Sequence, residues 1–261
     1  MAQSLWVSKT GMEAQQTRLS VISNNLANVS TTGFKKSRAL FEDLLYQTVR
    51  QAGGQTSQDT QLPSGLSLGA GVRTVATEKI HSQGSIEQTE NTYDVAIQGH
   101  GYYQILTPNG DIAYSRNGEF HLDSNGTMVT SSGYKLQPEI NIPENTLTVT
   151  IGRDGTVSVL QPGNPTPAVV GIIQLADFVN RSGLQPAGEN LYLETAASGP
   201  PQISSPDQLG MGALVQGALE TSNVNVVEEL VNMIETQRAY EMNSKAISTA
   251  DEMLQYANNN L

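Results

Sequence analysis

"SNNLANVSTTGFK", Ser23 to Lys35, begins as the polar and apolar weave of a helix and breaks at Thr-Thr-Gly-Phe. Ahead of the break, Leu5, Met12, Leu19 and Leu26 recur every seven residues, with Ile22 and Val29 at the companion spacing. A seam of period 3.5 predicts a helix with one narrow apolar face suited to a coiled-coil partner, although Ser8 and Gln15 weaken the pattern early on. Gly33 can enter the left-handed conformation without steric cost, so it is expected to stop the helix, and Phe34 to pack back on its last turn. Asn24, Asn25 and Asn28 would then offer polar groups to neighbouring helices.

The other end of the chain repeats the device. Leu219, Val226, Met233, Tyr240, Ile247 and Leu254 form an unbroken series of seven, flanked by Val227, Leu230, Ile234 and Ala246. Thr221 or Ser222 is the expected cap, and neither Gly nor Pro interrupts residues 218–261. A helix of roughly 30 residues follows, about 45 Å long at 1.5 Å per residue.

Between the ends the pattern is β. Asn109-Gly110, Asn117-Gly118 and Asn125-Gly126 fall eight residues apart between short apolar runs, and Asp154-Gly155 adds a fourth turn. Asn-Gly favours the type I′ turn of a hairpin, so the region predicts a meander of antiparallel strands. Residues 51–71 and 196–213 are rich in Gly, Pro or Ser and suggest extended or flexible linkers. The expected class is α+β: helical ends at 1–33 and 219–261 pairing as a coiled coil, an extended segment at 34–71, a central, mostly antiparallel β domain at 72–195 and a return linker at 196–218.

Composition narrows the function. The chain of 261 residues has no cysteine, so disulfide and thiolate chemistry are excluded. A net charge of −11 argues against nucleic acid. Residues 1–50 carry six Lys/Arg against three acids, whereas the tail from Leu219 carries two against seven, so the two ends have opposite sign. No run is long and apolar enough to span a membrane, and the first residues lack the features of a cleaved export signal.

Apparent catalytic or ligand motifs fail on context. Gly65-Leu66-Ser67-Leu68-Gly69 matches G-x-S-x-G but lacks the strand before and the helix after. His81, His100 and His121 are too far apart for a local metal motif. Asp123-Ser124-Asn125-Gly126 has its glycine at the wrong place for a calcium loop. Gly99-His100-Gly101 lacks the third glycine of a dinucleotide fingerprint and is expected to let strands bend or approach. No catalytic residue, metal or cofactor is expected.

"SNNLANVSTTGFKKSRALFEDLLYQTVRQAGG" at 23–54 and "ETSNVNVVEELVNMIETQRAYEMNSKAISTADEML" at 220–254 resemble the terminal signatures of bacterial flagellar rod and hook proteins, and "SQGSIEQTENTYDVAIQGHGYYQI" resembles their β domain. Length and the insert after the first helix are most similar to the distal-rod members. "RQAGG" stands where such members have a proline, and "GYY" where they have Gly-Phe-Phe. The resemblance implies a self-assembling hollow tube that transmits torque, with paired terminal helices inside and β domains outside. It implies that the insert from Phe41, with Leu44, Leu45, Tyr46 and Arg50, packs between neighbours and stiffens the rod. It also implies proximal rod proteins, hook or hook-end subunits and the outer ring bushing as neighbours, type III export without a cleaved signal, and a rod spanning the periplasm. Another axial protein, or a secreted β-rich binding module on a coiled-coil stalk, is the alternative.

Overall fold

The first helix ends at Ala27 rather than at Gly33. The computed structural model describes residues 2–51, 53, 55–57, 60–61, 64–163 and 166–259; parts of the insert, including Pro63, and Pro165 of the β region lie outside them. Helix α1 spans Ala2–Ala27. Beyond it Asn28 turns the chain locally: its carbonyl accepts from the Thr31 amide at 3.2 Å, and its side-chain oxygen accepts from the Thr31 hydroxyl. Such bonds compete with helix continuation, and Val29, Thr31 and Thr32 are β-branched. Gly33 has φ +70, and a Cβ there would lie 2.8 Å from backbone atoms of Arg116 and Asn117. Its role is therefore close packing rather than ending a helix.

Helix α2, Val226–Asn259, starts seven residues later than the apolar series suggests. Asn225, not Thr221 or Ser222, caps it: Oδ1 accepts from the amides of Val227 and Glu228. Leu219 is a strand residue opposite Glu87. At about 1.5 Å per residue, the 34 residues of α2 reach about 51 Å.

The chain divides into two compact units. Unit 1 holds residues 1–27, 37–78 and 225–261. Its strands are β1 (Ser37–Asp43), β2 (Tyr46–Arg50), β3 (Gln55–Ser57), β4 (Thr60–Gln61), β5 (Leu66–Gly69) and most of β6 (Val72–Lys79). β1 pairs with β6, β2 with β5 and β3 with β4. Within the stretch 51–71 that the composition suggested as a linker, the described residues thus include three strands of a β ribbon, β3, β4 and β5.

Unit 2 holds residues 28–36 and 79–224. Its strands begin with β7 (Ile86–Gln88), β8 (Val95–Gln98), β9 (Tyr102–Leu106), β10 (Ile112–Ser115), β11 (Phe120–Leu122), β12 (Met128–Thr130) and β13 (Lys135–Gln137). They continue with β14 (Thr148–Ile151), β15 (Thr156–Leu160), β16 (Ala168–Ile172), β17 (Leu175–Asp177), β18 (Gln185–Gly188) and β19 (Leu191–Leu193). β20 (Gln202–Ser204), β21 (Ala213–Gln216) and β22 (Ala218–Glu220) complete the set. The segment at 196–218 is therefore not a free linker: β20 pairs with β17, β21 with β8 and β22 with β7.

A nine-stranded antiparallel sheet, in the order β11-β12-β13-β9-β10-β19-β18 with β17 and β20 attached through β9, forms the body of unit 2. β9 is central, and its alternation fills both faces. Tyr103 and Ile105 enter the larger core with Phe120, Met128 and Leu136, and the Tyr103 and Phe120 rings meet edge to face at 5.1 Å. Tyr102 enters a second cluster with Tyr114, Phe178 and Tyr192.

Asn109-Gly110 joins β9 to β10, Asn125-Gly126 joins β11 to β12 and Asp154-Gly155 joins β14 to β15, each glycine having positive φ. Asn117-Gly118 does not make a hairpin, since β10 pairs with β9 and β19 instead of β11. Gly118 accepts from the Val95 amide at 3.0 Å, and a Cβ on it would meet the Val95 oxygen. Gly110→Ala, with open space around it, is expected to cost about 1–2 kcal/mol through its positive φ. Gly118→Ala should cost more than Gly110→Ala in urea unfolding, because backbone must move; equal costs would contradict this packing.

Candidate assembly surface

Within unit 1 the terminal helices run antiparallel. Asn243 lies beside Gly11, Arg18 donates to Asn232 Oδ1 at 3.3 Å, and Asn25 donates to Glu229 at 3.4 Å. The positions buried on α1 are Thr10, Ala14, Ile22 and Asn25, and on α2 they are Glu229 and Thr236. These are mainly small or polar. Large apolar side chains of α2 sit elsewhere, among them the expected Val227, 70% exposed, Leu230, 43%, and Ile234, 50%, together with Val231, 49%. Their spacing, i, i+3, i+4 and i+7, places them on one face of α2, which therefore carries an apolar stripe in water.

The other sequence-predicted residues divide accordingly. Val226, Tyr240 and Leu254 are exposed, whereas Leu5, Met12, Leu19, Leu26, Met233 and Ile247 are half-buried. Asn28, Val29 and Leu219 lie outside both helices. Of the three asparagines, Asn24 is exposed and Asn25 is used inside the unit. Its amide donates to the Ser37 carbonyl at 2.9 Å and its oxygen accepts from the Ser37 amide at 2.8 Å, fixing the start of β1 against the end of α1.

The ribbon exposes a second apolar surface. Leu45 is 91% exposed, and Tyr46, Val49, Leu66 and Leu68 are exposed on β2 and β5. Phe41, on β1, and Arg50 are also exposed, and Leu44 is half-buried with its amide bonded to Gly71. Ser67 faces Thr48 in this ladder, far from the strand-to-helix turn that a nucleophile elbow requires. A two-stranded ribbon is marginal on its own in water, so these residues make a surface suited to burial by another body.

Unit 2 contains a site that spacing alone did not reveal. Glu220, fully buried on β22, bonds the Lys35 ammonium at 2.6 Å with one oxygen and the Arg116 guanidinium with the other. Arg116 also donates to the carbonyls of Ile97, Gly99 and Gly101, which the positive-φ glycines at 99 and 101 present to it. Around this centre the segments 33–36, 80–82 and 220–223 are stitched together. Gly33 donates to the Glu220 carbonyl, Asn223 donates to the Phe34 carbonyl, and the Asn223 side chain accepts from Lys36 and donates to Ile80. Phe34 is buried beneath the Lys79 ammonium, 4.3 Å from the ring centroid. Lys35 and Glu220 lie in the quoted terminal signatures, but only their burial indicates that they must find partners.

Burial opposes ionisation of Glu220, yet Arg116 and Lys35 outweigh it and hold the carboxyl below its ordinary 4.5. For Lys35, burial dominates and pushes the ammonium below 10.5, with Glu220 only partly offsetting it and Arg116 adding to it. A depressed carboxyl contributes stability that is present above pH 4.5 and lost as pH falls through the lower folded value. Glu220→Ala should cost unit 2 about 3–5 kcal/mol by leaving buried cations uncompensated, measured by chemical denaturation at pH 7. Glu220→Gln should flatten the acid limb of the stability profile below pH 4.5; an unchanged limb would remove Glu220 from it.

Paired terminal helices with a solvent-facing apolar stripe, at either end of a chain that folds an antiparallel β unit between them, define a helical-ended structural protein. Comparison with known proteins specifies it. The family described as "Flagella basal body rod protein" matches residues 5–35, "Flagellar hook protein FlgE/F/G D1 domain" matches 96–159, and "Flagellar basal body rod FlgEFG protein C-terminal" matches 215–260. Relatives named "Flagellar basal-body rod protein FlgG" include one from Buchnera aphidicola of Schizaphis graminum, 61% identical over 98% of both chains. One from Caulobacter vibrioides is 49% identical over 97% of both, and one from Bacillus subtilis 42% identical over 98% of this chain and 97% of its own. The chain belongs to the flagellar basal-body rod protein family.

Proposed function

We propose that this chain is a structural subunit of the distal rod of the bacterial flagellum, polymerising through its terminal helices into a rigid hollow tube that carries torque from motor to hook. The observation that carries this reading is the apolar stripe Val227, Leu230, Val231 and Ile234, left in water by a helix pair whose own seam is small and polar. In water such a stripe favours burial against a like surface, at roughly 25 cal/mol for each Å² of apolar area covered. Copies related by a rotation and a rise that does not close extend such a contact into a filament. The helices of neighbouring copies form the coiled-coil interior of the tube, and unit 2 faces outward.

The ribbon built from β2 and β5 supplies the second contact. Leu45, Tyr46, Val49, Leu66 and Leu68 pack between neighbouring subunits and resist bending, with Phe41 and Arg50 at the same surface. The subunit meets proximal rod proteins at one end of the tube, hook or hook-end subunits at the other, and the outer ring bushing at its side. It reaches its place in the periplasm-spanning rod through the type III export machinery without a cleaved signal. The role is mechanical, and no reaction is assigned to it.

Ile234→Lys places a charge in the stripe without touching the buried positions of the helix pair. Expected are an unchanged unit 2 unfolding transition, no tubes by electron microscopy as concentration is raised, and no restoration of motility in cells lacking their own rod subunit. Normal motility with Ile234→Lys, or with residues 1–33 removed, would overturn assembly through the terminal helices.

A further inference from the structure

Unit 2 contains a small cavity of ≈ 70 Å³ whose lining includes Lys35, Arg116, Arg181, His81, His100 and Ser82. No carboxylate lines it among the described residues. Two of the cations, Lys35 and Arg116, are only 2% and 5% exposed, and one carboxylate, Glu220, bonds both. The trio thus carries one buried positive charge more than it neutralises. The Arg181 pair does not change this balance, because Asp177 bonds that guanidinium through both its oxygens. Burying a charge without a partner is costly, and an anion in the cavity would offset it.

Hydrogen-bond capacity points the same way. Lys35 has three N–H groups and directs them to two acceptors, the Ser82 carbonyl and Glu220. The Nη1 of Arg181 donates to Nδ1 of His100, so neutral His100 carries its proton on Nε2, and that N–H can serve a ligand. His81 Nε2 is buried without a partner, while its Nδ1 shares a 2.7 Å bond with the Tyr102 hydroxyl. Burial, and then Lys35, Arg181, Lys79 and Arg116, push His81 down to about 4, so the field around that ring is positive.

We propose that this cavity is a binding site for one small oxyanion, a phosphate or a carboxylate group, held by Lys35, Arg116, Arg181 and His100. The volume suits it: a single water needs roughly 10–15 Å³ of such space, so the cavity has room for a small polyatomic anion. The group can come from a free ion or from a side-chain carboxylate of a second copy of the chain. Binding in the dilute monomer is independent of the proposed assembly, so failure of one leaves the other standing.

The test uses the full-length chain, dilute, at pH 7 and constant ionic strength, titrated with inorganic phosphate. Expected is a saturable shift of the His81 and His100 ring resonances with His121 unmoved, and a unit 2 melting temperature that rises with phosphate. Arg181→Gln should weaken binding at least tenfold. Ser82→Asp, which brings a carboxylate to the cavity, should raise the melting temperature without phosphate and remove most of the phosphate response. Absence of a saturable shift, or a drift shared equally by His121, would overturn the proposal, as would Ser82→Asp binding phosphate as the parent does. In assembled material, persistence of the response identifies a free ion as the occupant. Its loss there, with the monomer still binding, identifies a carboxylate of the neighbouring copy.

Discussion

Glu220 ties together the separate stretches of chain from which unit 2 is built, 28–36 and 79–224. Its carboxylate joins Lys35, just beyond the turn that follows α1, to Arg116, which caps the carbonyls of the Gly99 to Gly101 bend. Its own carbonyl accepts from Gly33. One side chain therefore holds together segments more than 180 residues apart in the chain. A buried ion pair of this kind is weak evidence of net stability, because desolvation offsets much of the attraction, but removing one member is costly. Its value lies in permitting one arrangement: only with these segments side by side do both cations reach the one carboxylate.

The same network explains why the later helix begins at Val226 and not at Leu219. Ala218–Glu220 must be extended to pair with β7 and to bring Glu220 to its partners, and Asn223 must bind Lys36 and Ile80. The helix starts just beyond these bonds, with Asn225 as its cap. Unit 1 then pairs its helices through Asn25, Glu229, Arg18 and Asn232, polar contacts that set partner and direction more than they bury surface. The apolar side chains of α2 remain available. A soluble monomer usually covers such a surface, and it is on this exposed face that the proposed assembly rests.

Much of the local structure was legible because it depends on neighbours in sequence. Asn109-Gly110, Asn125-Gly126 and Asp154-Gly155 form hairpins as expected, but only the glycine of each pair has positive φ, so the turns are the longer kind with glycine at the left-handed position and not type I′, and Gly99 and Gly101 serve close approach as expected. Asn117-Gly118 has the same dipeptide and a different role, since which strand lies beside β10 is decided by distant partners. Composition suggested linkers at 51–71 and 196–213 and missed the strands that the described residues form there, for a related reason. Gly, Ser and Pro lower the intrinsic tendency to form strands without preventing pairing when a partner is held in register.

The sequence by itself determined that the chain is α+β, that its two ends are helical, that the middle is antiparallel β, and that the whole resembles the flagellar rod and hook proteins. Period, turn dipeptides and motif are local properties, and they survive without knowledge of what touches what. Tertiary structure decided which face of each helix is buried, that Asn25 is used within unit 1, that Leu219 is a strand residue, and that Lys35, Arg116 and Glu220 meet. A repeat of seven specifies that an apolar face exists and leaves open what covers it, because helical spacing is the same whether the partner is this chain or another. Buried charge is likewise invisible in a line of residues, since its partner is chosen by the fold and not by distance along the chain.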